Sequence, residues 1–386
     1  MNSKIEGEAQ LTFWEAASII VGHGVGAGIL AVPYLASRNR FTDVLLIIIA
    51  AYLINLLMHF MIAELSYNND GAQFIRCFEN ELFRGKAGKI LGWCAFIFLG
   101  ISVLVNVSGY ITGSAAVFHA WFGLPEKISM VLYFCLASLV VFFGMKLVGI
   151  AEKYALICMI SVMGLLLVAV LTGEKSALPM TFIASGNLVA LYSMVSFALS
   201  AVMSVPQVVK GLCGDARRVR GAIMAGTGIN AGLILLITVM TLIGTGSRIT
   251  ENGALVDLSA SLGGWVGIIG YIFSLLALST SFWANTLNLR DIVHEQVHLS
   301  LKKSYLAAAL PCLLIALLGA QSFVGFTRLA GIIQVLTGIG IIAAYARSRK
   351  RERESPICGQ LGTLPFQILV ILSSLLATAG SVIHVV

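Results

Sequence analysis

The sequence predicts an all-α polytopic membrane protein of eleven transmembrane helices, the first and sixth of them broken. Three observations predict it. Charged residues make up only 11% of the chain against 58% hydrophobic, and the mean hydropathy is +0.94; soluble domains carry roughly 25% charged residues. Eleven apolar stretches approach or exceed the length of about 20 residues that crosses a bilayer. Two of them are interrupted, at matching places in the two halves of the chain.

The first stretch, about 12–37, contains IIVGHGVGAGILAVPYL from Ile19 to Leu35. It packs Gly22, Gly24, Gly26 and Gly28 into seven positions, with Pro33 shortly after. Glycine costs a helix interior about 1 kcal/mol per residue relative to alanine, so the run favours local unwinding. Unwound backbone at membrane depth is tolerated only where protein, a cavity or a ligand satisfies it. In secondary transporters such a gap forms the binding site. The competing reading is a helix-packing surface, because Gly22 with Gly26, or Gly24 with Gly28, has the spacing that lets two helices approach. Alternate-residue glycine, however, spreads over several faces. A phosphate loop is excluded: no Gly-Lys-Ser/Thr follows the glycines and no βαβ pattern surrounds them.

The stretches at about 42–67, 89–118, 128–145 and 151–172 complete the first half. Between the second and third, FIRCFENELF places Phe74, Ile75, Phe78 and Leu82 at helical spacing. It reads either as an amphipathic helix on the membrane surface or as a packed connector. The sixth stretch, about 186–211, holds Ser193, Ser196, Ser200 and Ser204 at its centre. Pro206 lies about 20 residues after its start, as Pro33 does in the first. Paired interrupted helices at corresponding positions point to a midplane site; serine-rich faces are also ordinary packing surfaces. Stretches at about 221–244, 264–289, 304–320 and 325–346 complete a second block, and 363–384 is an extra span. The two blocks, about 12–172 and 186–346, have equal length and suggest a duplication within one transmembrane domain covering 1–386. No polar stretch exceeds about 20 residues, too little for a soluble core of its own. No signal peptide is expected, because no basic n-region with a cleavage site precedes the first apolar run.

With the N-terminus inside, the cytoplasmic side carries nineteen Lys and Arg residues and the other side six. That asymmetry predicts a cytoplasmic N-terminus, and eleven crossings place the C-terminus outside, in the plasma (inner) membrane. The same bias accounts for the net charge of +7 without nucleic acid. The seven cysteines form no C-x-x-C pair, so neither disulfides nor a zinc site is expected. No cofactor, no obligate protein partner and no ATP-binding motif is evident; the partners implied are the lipid bilayer and a small-molecule substrate. No His/Glu metal cluster or Ser–His arrangement supports an enzyme, and no catalytic residue is assigned.

GHGVGAGILAVPYLA resembles the first-helix signature of the aromatic and hydroxy amino acid permeases, in the amino acid–polyamine–organocation superfamily. The core of that signature is Gly-x-Gly-Ala-Gly, two apolar residues, a short spacer and Pro. Here it reads Gly24, Val25, Gly26, Ala27, Gly28, Ile29, Leu30, then Pro33. Looser likenesses are Leu212-Cys-Gly-Asp-Ala-Arg-Arg-Val-Arg220 and Ser279-Thr-Ser-Phe282. The resemblance covers most of the chain. It implies a 5+5 inverted repeat with broken helices one and six plus one extra helix. It also implies an ion-coupled symporter of amino acids, neutral or aromatic, working by alternating access with a co-transported H+ or Na+. A second function of another class is a transporter-like receptor subunit of the spore germinant receptor type, binding an amino acid without net transport.

The expected site begins with the backbone. Free N–H groups near Gly26, Ala27 and Gly28, at the start of the second half-helix, favour a substrate carboxylate. Carbonyls around Gly22, Gly24 and Val25, and others near Ser196 to Ser200, suit an ammonium or a cation. His23 is ionisable at membrane depth, where such groups are functional by default; its alternative role is bonding the unwound backbone. The resemblance implies that Tyr110 closes over the carboxylate and that Phe197 is an aromatic gate. Each is equally readable as a packed core aromatic. The resemblance further implies a sodium site from Thr280 and Ser281 with the carbonyls of Gly22 and Val25; hydroxyls in membrane helices also commonly bond their own backbone. The lysine that proton-coupled relatives place in helix five falls here at Met159 or Ile160, while Lys153 lies nearer the cytoplasm, so coupling would pass through His23 or Glu64. Glu15 and Glu64 are candidates for an inner gate with Arg217, Arg218 or Arg220. Asn55, His59, Asn230 and Gln334 are expected to hydrogen-bond between helices.

Overall fold

The structure, a computed structural model, describes residues 10–83, 85–180, 184–245, 249–250, 254–319, 338–351, 355–381 and 383. Among the described residues it contains helices and turns and no strand. The first predicted stretch is two helices, α1 (Phe13–Gly24) and α2 (Ala27–Ser37), bent by 56°. The next are α3 (Phe41–Tyr67), α4 (Phe74–Glu81), α5 (Gly85–Phe122), α6 (Glu126–Phe142) and α7 (Met145–Thr172). The sixth stretch is α8 (Ser185–Leu199), a 3-10 turn (Val202–Ser204) and α9 (Val205–Gly211). Then come α10 (Ala216–Thr245), α11 (Ala254–Leu262), α12 (Gly264–Val297), α13 (Leu301–Leu317), α14 (338–351) and α15 (Leu364–Ser381).

The predicted fold class stands, but the count of eleven spans is not reproduced. Seven described helices are long and apolar enough to cross a membrane, or eight with the bent α1–α2 pair. The tenth predicted stretch falls largely outside the described residues, with Gln334. Helix α7 starts six residues earlier than expected. Gly144 adopts φ +95° and ψ −175°, a conformation open to glycine and not to L side chains, and the helix begins immediately after it. Helix α11 was not foreseen. Helix α4 is a helix as its spacing predicts, and a packed one: Phe74, Ile75, Cys77 and Phe78 are buried in the core, against α5 and α12.

Two apolar cores meet at the breaks. Ile19 and Ile20 belong to one, Val21, Val25 and Ile29 to the other. Ala198 and Leu199 belong to the second, Ala201 and Val202 to the first. On α3, α7 and α10 the change falls between Ala51 and Phe60, between Val148 and Leu156, and between Ile223 and Leu233. The buried residues in those intervals include Asn55, His59, Glu152, Thr227 and Asn230. A polar layer thus crosses the bundle at the level where the main chain opens.

Candidate functional site

Unwinding in the first span is confined to Val25 (φ −75°, ψ 81°) and Gly26 (φ −127°, ψ −151°). Gly22 and Gly24 stay in the last turn of α1. The expectation that all four glycines would loosen the helix is therefore corrected. Their common property is closeness to a neighbour. A Cβ on Gly22 would overlap the Glu152 carboxylate, and one on Gly24 would overlap the Asn230 amide. On Gly26 it would lie 3.0 Å from Ser281 Oγ, and on Gly28 3.0 Å from the Ala198 Cβ and 3.1 Å from the Phe197 ring. The partners come from four helices, so the alternate spacing serves several faces at once.

The sixth span opens at Ser200 and Ala201, with ψ 117° and ψ 26°. Two of its main-chain groups are satisfied by side chains from elsewhere. The Ala201 N–H donates to His59 Nε2 at 3.0 Å, and Asn230 Nδ2 donates to the Ala198 carbonyl at 2.9 Å. Because His59 Nε2 accepts, its proton sits on Nδ1, which faces Thr227 Oγ1 at 3.3 Å. This is the accounting that membrane depth demands of broken backbone.

The two breaks are joined directly. His23 Nδ1 lies 2.9 Å from Ser204 Oγ. Helix α2 packs on α8, with Gly28 against Ala198 and Phe197. The first-turn N–H groups of α2, those of Ala27 and Gly28, have no partner within their own helix by the geometry of any helix start. They point out of a break whose Val25 and Gly26 are buried.

From the other side α12 approaches. Ser281 Oγ lies 3.3 Å from the Gly22 carbonyl and 3.5 Å from that of Val25. The Tyr110 hydroxyl on α5 accepts from Asn106 Nδ2 at 3.1 Å. Thr280 Oγ1 instead bonds its own helix at Ala277, at 3.0 Å. Ser196 Oγ is buried without a partner among the described residues. Ser193 Oγ donates to Ala377 on α15 at 2.6 Å, so that serine belongs to helix packing. Nothing is described for the Ala27 side chain.

The two acidic residues sit elsewhere and do not meet the arginines expected of them. Glu15 closes a capping box with Thr12 at the start of α1 and takes Lys146 Nζ at 2.6 Å. Glu64, at the end of α3, accepts from Tyr345 at 2.9 Å, Arg349 at 3.4 Å, Ser355 at 2.7 Å and the Cys358 N–H at 2.8 Å. Of the expected partners, the backbones of Arg217 and Arg218 bond Asp215, while Arg220 lies over the Phe60 ring. A cavity of about 160 Å³ lies off the breaks, lined by Phe118, Tyr133, Leu136, Leu275, Ser279 and Trp283.

Sequence reasoning underused His59, Asn230 and Glu152. Each is a polar or ionisable residue at membrane depth, the signal that could have found them.

A family model described as the tryptophan/tyrosine permease family matches residues 10–379. The tryptophan-specific transport protein of Pseudomonas aeruginosa (strain UCBPP-PA14) is 25% identical over 401 residues, 95% of this chain and 93% of the relative. Among solved structures, the fold is similar to that of MHP1, a nucleobase-cation-symport-1 family transporter in a closed conformation with bromovinylhydantoin bound. The TM-score is 0.68 at 13% identity, over 98% of this chain and 92% of that one. It is also similar to MhsT in complex with L-phenylalanine, with a TM-score of 0.66 at 15% identity, over 97% of this chain and 100% of that one.

Proposed function

We propose, from the premise that the chain belongs to the tryptophan/tyrosine permease family, that this multi-pass amino acid transporter carries an aromatic amino acid between the two broken spans. The family is one of tryptophan/tyrosine permeases and the relative is a tryptophan-specific transport protein, so the chain is a transporter and not an enzyme. The receptor reading gives way for the same reason.

The observation that carries the site is the meeting of the breaks, with His23 on Ser204 and Gly28 on Ala198 and Phe197. The substrate carboxylate would take the Ala27 and Gly28 N–H groups at the positive end of α2. The ammonium would face carbonyls between Ser196 and Ser200. Phe197, more exposed than its neighbours on α8, would meet the aromatic ring, and Tyr110 would close over the carboxylate. Alternating access follows from rocking about this level, where two apolar cores already part. The carbonyls of Gly22 and Val25 with Ser281 Oγ are oxygen donors suited to a co-transported sodium ion; a proton is the other candidate. The bias of nineteen basic residues against six supports a cytoplasmic N-terminus.

The test is uptake of labelled L-tryptophan into proteoliposomes, with unlabelled amino acids competing and pH and sodium gradients imposed separately. Aromatic amino acids should compete best. Equal competition by small aliphatic ones would refute the aromatic assignment.

A further inference from the structure

We propose that Glu152 is the carboxyl group that carries a co-transported proton. The proposal rests on the transport reading above and deepens it by naming the ion and the residue.

Glu152 is 0% exposed, and both of its carboxyl oxygens are buried without a hydrogen-bond partner among the described residues. Its carboxyl group occupies the space that a side chain on Gly22 would need. Gly22 is in the last turn before the first break, and its carbonyl faces Ser281. The group is therefore aimed at the point where the main chain opens.

The helices packed against α7 are α1, α6, α10 and α12. Their ionisable side chains are Glu15 and His23 on α1, Glu126, Lys127, Tyr133 and Cys135 on α6, Arg217, Arg218 and Arg220 on α10, and Tyr271, Arg290, Asp291, His294 and Glu295 on α12. Helix α7 itself carries Lys146, Lys153, Tyr154 and Cys158. None of them bonds Glu152. Lys146 is held by Glu15 and the Gln10 carbonyl. Arg290 pairs with Asp291 at 2.6 Å, His23 bonds Ser204, and Lys153 lies over the Tyr154 ring.

An ionised carboxylate with no counter-charge and no donor is far more costly in such a place than the neutral acid. Glu152 is accordingly protonated while the bundle is closed and dry. When the breaks open to water, the carboxylate can be hydrated and the proton leaves to water on that side. On the other side the carboxylate takes a proton from water, and only the O–H bond forms and breaks. With substrate filling the breaks and water displaced, only the protonated form can close; the vacated breaks admit water that accompanies the carboxylate through the empty return, which ties the movement of substrate to that of a proton.

The experiment compares E152Q with wild type in proteoliposomes. Two readouts are used: exchange of L-tryptophan at equal pH, and accumulation driven by an inward proton gradient. E152Q should exchange tryptophan, fail to concentrate it above the outside level, and no longer acidify the lumen during uptake. E152D, which keeps a carboxyl, should retain part of the accumulation. Dicyclohexylcarbodiimide adds a protonated carboxyl across its C=N bond, so on the unaltered protein it should modify Glu152 and abolish accumulation. Gradient-driven accumulation by E152Q equal to wild type overturns the proposal. So does a missing carbodiimide adduct at Glu152, a wild type driven by sodium alone, or loss of coupling in a His23 variant with E152Q still coupled. A wild type that neither binds nor exchanges aromatic amino acids refutes the transport reading instead.

Discussion

Replacing Gly24 by alanine separates two accounts of the glycine run by sign. If Gly24 served only to loosen α1, alanine would stabilise the helix by up to about 1 kcal/mol. The structure predicts the opposite. A Cβ on Gly24 would overlap Asn230 Nδ2 and lie 3.0 Å from the Ala198 carbonyl. Asn230 must then give up its 2.9 Å bond to that carbonyl. Two buried polar groups, that amide and that carbonyl, then lose their partner, each at about 1–3 kcal/mol. Against a gain of at most about 1 kcal/mol, the net loss is about 1–5 kcal/mol. The assay is thermal unfolding of the purified protein in detergent, run as a double-mutant cycle with N230A. The single N230A variant loses the bond without the clash, and G24A in the N230A background should cost less than G24A alone. A G24A protein more stable than wild type, or a cycle with additive effects, would refute the reasoning.

Three further outcomes follow from named contacts. H59A strips the Ala201 N–H of its acceptor and should cost about 1–3 kcal/mol in unfolding free energy, with weakened tryptophan binding by equilibrium dialysis. E64Q places an amide among the donors of Tyr345, Arg349, Ser355 and Cys358; hydrogen bonds to a charged group are worth about 1.5–3 kcal/mol, and their weakening is read as a lowered melting temperature. On α4, outside the spans, burial pushes the Cys77 thiol well above its usual range, and the Glu295 and Glu81 carboxylates add to it. Cys77 should therefore stay unmodified by a maleimide at mildly alkaline pH, as mass spectrometry of the labelled native protein will show, and react once the protein is unfolded.

The membrane class and both breaks were legible because they rest on composition and on local backbone chemistry. The glycine run flagged the first break, yet its cause was misread. Propensity is a per-residue quantity, whereas Glu152, Asn230, Ser281 and Ala198 reach the glycines from distant parts of the chain. His59 and Asn230 were legible as hydrogen-bonding residues, and their targets on the sixth span were not, because long-range pairing leaves no spacing in the sequence. Glu152 was overlooked for a local reason. A fifth span predicted from about 151 leaves it at the very end of the helix; a helix that starts at Met145 carries it two turns inward. Glu15 and Glu64 were placed correctly on their helices and paired with the wrong cations, since nothing in the sequence says which helix ends are neighbours.

The central claim is that the paired openings of the first and sixth spans hold the amino acid. The most direct test is a structure of the protein in lipid nanodiscs with L-tryptophan bound. The account predicts the carboxylate within hydrogen-bond distance of the Ala27 and Gly28 N–H groups and the indole against Phe197. Tryptophan seated instead in the cavity beside Tyr133 and Trp283, with the breaks untouched, would contradict it.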